Sequence, residues 1–218
     1  MHVSEQAQAV MHGYVPELAD AFASVVDFLD KNPTLVPPKS QEIFGTANYL
    51  HKAAQSFVAD RRETSPKLPS TIADPVVKII LENFWDVPAD ASDAALRHHA
   101  MAMGAENIIG TLLEHFLASI LEPAGWIWCS GAIVRATDFI CRQPDGSWLA
   151  LQVKNRDNSE NSSSKAIRDG TNIRHWFRTF SRKTGTNWDN FPAKIDGLDE
   201  GQFRHFVANY LQSLRREA

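Results

Sequence analysis

Cysteine is scarce in this chain of 218 residues: there are two, Cys129 and Cys141, with no CxxC spacing between them. That argues against a disulfide framework and against a thiolate zinc site, and both thiols, set among apolar neighbours, read as buried groups in a reducing compartment. No run of about 18 apolar residues is present to span a bilayer, and no charged start followed by an apolar stretch marks an export signal. A cytoplasmic protein is therefore expected. Internal repeats are absent, and the low-complexity content is the short serine run from Ser162 to Ser164, which excludes solenoids and arrays. Positive charge is not in excess either. The formal net charge of −4, taken as an average, argues against a general polyanion binder, because neutralising phosphates takes Lys and Arg in surplus.

What is present qualifies that average. From Gly131 to Phe191 ten Lys/Arg stand against six Asp/Glu, a local net of +4, so the rest of the chain carries −8. Basic side chains are concentrated in one block, which is either a solvated face or a surface for an anionic partner. With 44% apolar and 22% charged residues, the chain can bury one substantial core, or a core and a smaller helical annex.

The first ninety residues read as helices broken by proline turns. Leu18, Phe22, Val25, Val26 and Leu29 recur at helical spacing before Asn32-Pro33, and Pro37-Pro38 closes that unit. Further helices are expected from about Gln41 to Arg62 and from about Pro75 to Phe84. A polar loop from Glu63 to Thr71 holds Pro66 and Pro69. From about Asp90 to Leu121 the pattern is strongly helical, with Ile108, Ile109, Leu112, Leu113, Phe116, Leu117 and Ile120 in one stripe, ended by Pro123 and Gly125. The period then changes: Trp126 to Ser130, Ile133 to Cys141 and Trp148 to Lys154 read as strands, with Pro144-Asp145-Gly146 as a turn. The last third is expected to return to helix, ending on Phe203, Phe206, Val207, Tyr210, Leu211 and Leu214. This gives an α/β fold, a small sheet flanked by helices, with a helical N-terminal region at 1–90 and a core at 91–218.

The hairpin carries the chemistry. If its loop is the three residues 144–146, Gln143 pairs with Ser147, paired numbers sum to 290, and Asp138 lies opposite Gln152. Strand alternation then puts Lys154 on the same face, two residues along. A phosphodiester is hydrolysed by a hard cation on oxygen ligands, an activated water, and positive charge near the phosphorus. Asp138 supplies an anionic ligand, the Gln152 amide oxygen and the Val153 carbonyl complete a shell, and Lys154 orients or polarises the water. Gln152 brings no charge, so another carboxylate is required. The preceding helix offers Glu106 and Glu114 on either side of Gly110, where a missing side chain permits close approach of backbone or phosphate. Glu106 lies nearer the apolar stripe.

After Lys154 comes a stretch without an apolar residue, Asn155-Arg156-Asp157-Asn158-Ser159-Glu160-Asn161-Ser162-Ser163-Ser164, whose groups hydrogen-bond phosphates and base edges. Thr171 to Lys183 is expected to be helical. It would present Arg174, Arg178, Arg182 and Lys183 as a basic ridge over Trp176, Phe177 and Phe180, suited to clamping phosphates.

The strings Ala105-Glu106-Asn107-Ile108-Ile109-Gly110, Gly125-Trp126-Ile127-Trp128-Cys129-Ser130-Gly131, Thr137-Asp138-Phe139-Ile140 and Gln152-Val153-Lys154-Asn155-Arg156-Asp157-Asn158-Ser159-Glu160-Asn161, with Trp176 to Trp188, resemble type II restriction endonucleases of the SinI, AvaII and TdeIII type. The likeness covers roughly Ala100 to Pro192. It implies a PD-(D/E)XK nuclease core, dependence on magnesium with manganese as a substitute, and a homodimer on a palindromic duplex site of the GGNCC or GGWCC class. It also implies 5′-phosphate and 3′-hydroxyl ends and a companion DNA methyltransferase. The N-terminal helices would then serve dimerisation or DNA contact. The distance to the start of the sheet in relatives of this fold favours Glu114 over Glu106. Thr137 stands where proline is usual and Gln152 where an acid is usual. Other readings are a structure-selective nuclease on the same core, a catalytically decayed DNA-binding module, and a mixed α/β interaction protein.

Overall fold

In a computed structural model the chain is described at residues 2–158 and 171–217. Five helices precede the sheet: α1 (Val3–His12), α2 (Ala19–Lys31), α3 (Ala47–Ala59), α4 (Pro75–Phe84) and α5 (Ala89–Leu121). The strands β1 (Trp126–Trp128), β2 (Phe139–Arg142), β3 (Trp148–Arg156) and β4 (Ile173–Thr179) follow, and α6 (Glu200–Glu217) ends the described chain. Compactness divides it into two units, one of residues 1–63 and 113–218 and one of residues 64–112, the boundary falling inside α5.

In the first unit the sheet runs β1-β2-β3-β4, antiparallel across the first two pairings and parallel between β3 and β4. The hairpin expectation holds through β2: Phe139 pairs with Leu151 and Arg142 with Trp148, and the Gln143 N–H donates to Ser147 O at 2.8 Å. The turn works because Gly146 takes φ +83°, a left-handed value cheap for glycine, while Asp145 accepts the Ser147 N–H at 2.9 Å. Ile133 to Asp138 is not strand. It is a loop that carries the chain from β1 to β2.

Helices α1 to α3 pack on the sheet. Phe22, Val25, Val26, Leu29, Leu50 and Phe57 form one buried cluster with Cys129, Ile140 and Ala150, and Phe28 meets Trp148 edge-on at 5.9 Å. The apolar stripe of α2 read from the sequence is therefore the face that makes the core. Elsewhere in the unit an aromatic cluster joins Trp176, Trp188, Phe191, Phe116 and Phe203, with ring centroids 4.9 to 6.2 Å apart. Cys129 is buried as expected, whereas Cys141 is half-buried; both are free thiols.

The expected helix over 171–183 is corrected to a strand. Its basic positions are four apart, and four is both close to one helical turn and twice the strand period, so spacing alone could not separate the two. Pairing with β3 decided it, through contacts such as Val153 with Trp176.

In the second unit, α4 starts at Pro75 behind Asp74, whose carboxylate caps the Val76 N–H at 2.9 Å. Lys78 pairs with Asp93 at 3.0 Å, and Ser92 donates to Glu82 at 2.8 Å, so the polar side of α4 faces the start of α5.

Candidate active site

Asp138 is delivered by a constrained loop. Gly131 has φ +88°, and a Cβ there would lie 2.7 Å from backbone atoms of Ser56 and Phe57, so only glycine fits against α3. Ala132 and Ala136 also take left-handed values, φ 51° and 54°, a strain of order 1 kcal/mol each that surrounding bonds must offset. Those bonds are present: Ser56 Oγ donates to Gly131 O, the Gly131 N–H to Asp60, Ser130 Oγ to Phe57 O, and the Arg135 N–H to Leu35 O, all at 2.8 to 2.9 Å.

At Asp138 the ladder slips by one residue. Its N–H donates to Leu151 O, the carbonyl opposite Phe139, and its own carbonyl accepts the Cys129 N–H, each at 2.8 Å. Asp138 Oδ2 accepts the Val153 N–H at 2.6 Å, taking the place of a backbone rung. The simple opposition of Asp138 and Gln152 is corrected accordingly: the carboxylate sits on the amide of the next residue, as a bulge at the strand end allows.

Glu114 joins it from α5. Trp128 Nε1 donates to Glu114 Oε2 at 3.0 Å, fixing the carboxyl where α5 meets β1. Burial, reinforced by the charge of Asp138, pushes the Glu114 carboxyl up to about 8, while the Trp128 bond and the Lys154 charge pull the other way. Burial raises Asp138 too, opposed by the Val153 N–H and by Lys154. Glu114, Asp138 and Lys154 thus feel one another's charge, and the two acids, both half-buried, are only partly screened by water. Gln152 is buried at 2% exposure, and Lys154 is half-buried on the same strand.

Glu106 is placed differently. It is exposed, in the second unit, eight residues before Glu114 on α5, so its expected closeness to the apolar stripe is corrected. A Cβ on Gly110 would meet nothing within 4 Å, so the close approach expected there is absent among the described residues.

The expected phosphate contacts divide. Arg178 is 11% exposed, with Nη1 bonded to both oxygens of Glu200 at 2.8 Å and Nε and Nη2 to Asn155 Oδ1 at 3.0 and 2.9 Å. Thr179 Oγ1 donates to Asn155 O at 2.9 Å, and Asp157 accepts the Ser181 N–H at 2.8 Å. Arg178, Asn155 and Asp157 therefore brace the end of β3 against β4. The Arg178 ridge position is corrected by this capture, since its donors already have acceptors inside the protein. Arg156, Asn158, Arg174, Arg182 and Lys183 are exposed. Ser159, Asn161, Ser162 and Ser163 lie outside the described residues.

Strand β4 also brings to the site two residues that a helix would have set elsewhere. In the parallel pairing Gln152 stands beside His175 and Lys154 beside Phe177, so His175 and Phe177 share the face of Gln152 and Lys154. Recognising β4 as a strand would have found them. Arg61 grips Glu122 through two bonds at 3.0 and 2.8 Å, reaches Trp128 O and Ser130 Oγ, and lies over the Phe57 ring at 4.4 Å. No spacing in the chain announced that knot.

Among the described residues no group of three His, Cys, Asp or Glu side chains gathers for a metal ion. The donors here are of another kind: two carboxylates, with the amide oxygen of Gln152 and the carbonyl of Val153 on β3, the strand whose Val153 N–H binds Asp138. An all-oxygen set with two crowded acids suits a hard divalent cation and suits a soft one poorly.

Two known proteins resemble this chain along nearly its whole length. The chain is 42% identical over 221 residues, 98% of its own length and 96% of the relative's, to a protein described as type II restriction enzyme SinI from Salmonella infantis. It is 42% identical over 217 residues, 96% and 94% of the two lengths, to type II restriction enzyme Eco47I from Escherichia coli. The family model described as SinI restriction endonuclease matches residues 3–213, and with it the chain belongs to the SinI restriction endonuclease family.

Proposed function

We propose that this protein hydrolyses phosphodiester bonds in duplex DNA at a short palindromic site of the GGNCC or GGWCC class. It uses magnesium, with manganese as a substitute, and leaves 5′-phosphate and 3′-hydroxyl ends. The reading is carried by one observation: Glu114, held by the Trp128 indole, and Asp138, held by the Val153 N–H, are half-buried within reach of each other's charge and of the Lys154 ammonium. Two carboxylates in conflict are an expense a protein of this size accepts where a cation is to be bound.

Asp138 and Glu114 would hold the cation, with the Gln152 amide and the Val153 carbonyl completing its shell. Bound there, magnesium supplies Lewis-acid stabilisation of the charge that builds on the phosphoryl oxygens. The Val153 N–H keeps Asp138 Oδ2 in place, so the carboxylate meets the cation in one orientation. Lys154 orients the attacking water and places positive charge beside the phosphate. Exposed Arg156, Asn158, Arg174, Arg182 and Lys183 contact the duplex, phosphates first. A two-fold DNA site calls for a homodimer that offers one centre to each strand, and a DNA methyltransferase must protect the host's own sites.

The test is a digest of unmethylated duplex DNA. Discrete fragments with magnesium, none with EDTA, and none from Asp138→Ala or Lys154→Ala protein of unchanged fold are expected. Retained cutting by both variants would overturn the assignment. Salt-sensitive binding without nicking at any magnesium or manganese concentration would leave a DNA-binding module in its place.

A further inference from the structure

We infer that α4 and its flanks are the surface on which a second copy of this chain docks, an inference that rests on the homodimer of the proposed function and assigns its interface. Ten of the twelve exposed large apolar side chains among the described residues lie in the unit 64–112. On α4, Val76, Val77, Ile79, Ile80 and Phe84 are each 40% to 74% exposed, Trp85 behind them is 62% exposed, and the helix buries no residue at all.

The helix is turned the wrong way round for a monomer. An amphipathic helix normally buries its apolar stripe and leaves its charges in water. Here the opposite side makes the contacts: Lys78 pairs with Asp93, and Glu82 accepts from the fully buried Ser92 of α5. The apolar side faces outward, a cost that association would remove.

Area and charge select the partner. With the flanks included, the ten exposed apolar side chains of the unit, 38% to 96% exposed, present on the order of 1,000 Å², against about 800 Å² per partner in a stable complex. The unit carries six Asp/Glu against three Lys/Arg, a net of −3, which opposes docking on DNA and leaves a protein as occupant. One centre per chain and a two-fold substrate make that protein another copy, because an isologous contact sets the same stripe against itself across the axis.

The experiment is sedimentation equilibrium on the full chain and on Ile79→Asp/Phe84→Asp, with Ile43→Asp in the other unit as a control. A dimeric wild type and control, with association weakened about 100-fold or more in the double variant, is the expected result. The double variant should also convert supercoiled plasmid to nicked circles well ahead of linear DNA. A wild-type dimer that the double variant leaves intact overturns the surface while the homodimer stands; a wild type monomeric throughout overturns both. Hydrogen exchange on wild-type protein guards against misfolding of the variant. Protection of 75–85 that rises with dimer concentration supports the inference, and protection that does not change overturns it.

Discussion

Half-buried carboxylates occur in two kinds of setting in this protein, and the contrast between them separates structure from chemistry. Glu200 accepts both bonds of Arg178 Nη1, one from Trp188 Nε1 at 3.1 Å and one from Arg204 at 3.0 Å. Burial pushes its carboxyl upward, yet the bonds from Trp188 and the arginines outweigh that and hold it below the usual range. Glu122 is gripped in the same manner by Arg61. Glu114 and Asp138 receive no guanidinium among the described residues. They face one lysine between two acids, and Glu114 is driven up to about 8. Compensated acids fasten elements together; on the proposed mechanism the uncompensated ones hold a position open for charge from outside.

The largest effect should come from removing the open charge. Asp138→Asn or Lys154→Ala is expected to lower cleavage by on the order of 10³-fold or more, because each loses a group that acts on the charge of the reaction itself. The thermal midpoint of metal-free Asp138→Asn protein should hold or rise, since an opposing charge is gone. A variant that unfolds instead would place Asp138 among the fastening acids and erase the contrast.

Next in size are the fasteners. Removing one member of a buried ion pair strands the other, at a cost of about 3–5 kcal/mol. Because Glu122 and Glu200 keep 32% and 20% of their side chains exposed, Arg61→Ala and Arg178→Ala should each fall short of that value in denaturant unfolding but exceed about 1 kcal/mol, Arg61 also losing its bonds to Trp128 O and Ser130 Oγ. Losses below about 1 kcal/mol, the range of solvated pairs, would show that these knots are not fasteners.

Acidity sharpens the comparison further. Glu114 binds its proton more tightly folded than unfolded, so its contribution to metal-free stability is complete below its unfolded value, near 4.5, and fades as pH rises through about 8. A divalent cation must displace that proton, so magnesium affinity and cleavage should climb over the same interval. Glu114→Gln is expected to flatten the stability profile and to bind magnesium weakly at every pH. Glu200 has the opposite sign, its stabilisation present at neutral pH and lost on the acid side. Stability profiles that coincide for wild type and Glu114→Gln would falsify the raised carboxyl.

How much of this the sequence disclosed follows from where the determining contacts lie. The β2–β3 register came from Pro144-Asp145-Gly146, since a turn is local and fixes every rung beyond it; it fails at Asp138, where the Val153 amide captures a carboxylate. The identity of β4 depended on a parallel partner more than twenty residues earlier, which no local period records. Arg178 looked like a phosphate clamp because sequence shows that an arginine is basic, not which acid has reached it first; Glu200 is 22 residues away. Glu106 and Glu114 lie two helical turns apart on one helix, and the difference between them is the Trp128 indole, supplied by β1, and the Asp138 charge, supplied by the loop that enters β2.

That pair gives the smallest expected effect, and it tests the contrast along a single helix. Glu106 is exposed, so Glu106→Ala should leave cleavage within about twofold, the behaviour of a surface change far from any special contact. Gly110 sits between the two glutamates with nothing within 4 Å of the point a Cβ would occupy and no left-handed backbone angle. Alanine there should stabilise α5 by about 0.5–1 kcal/mol, the ordinary helix preference, without touching activity. If Gly110→Ala instead abolished cleavage while raising the unfolding midpoint, the bare backbone at that turn would be in contact with the duplex, and the functional part of α5 would extend a full turn beyond Glu114.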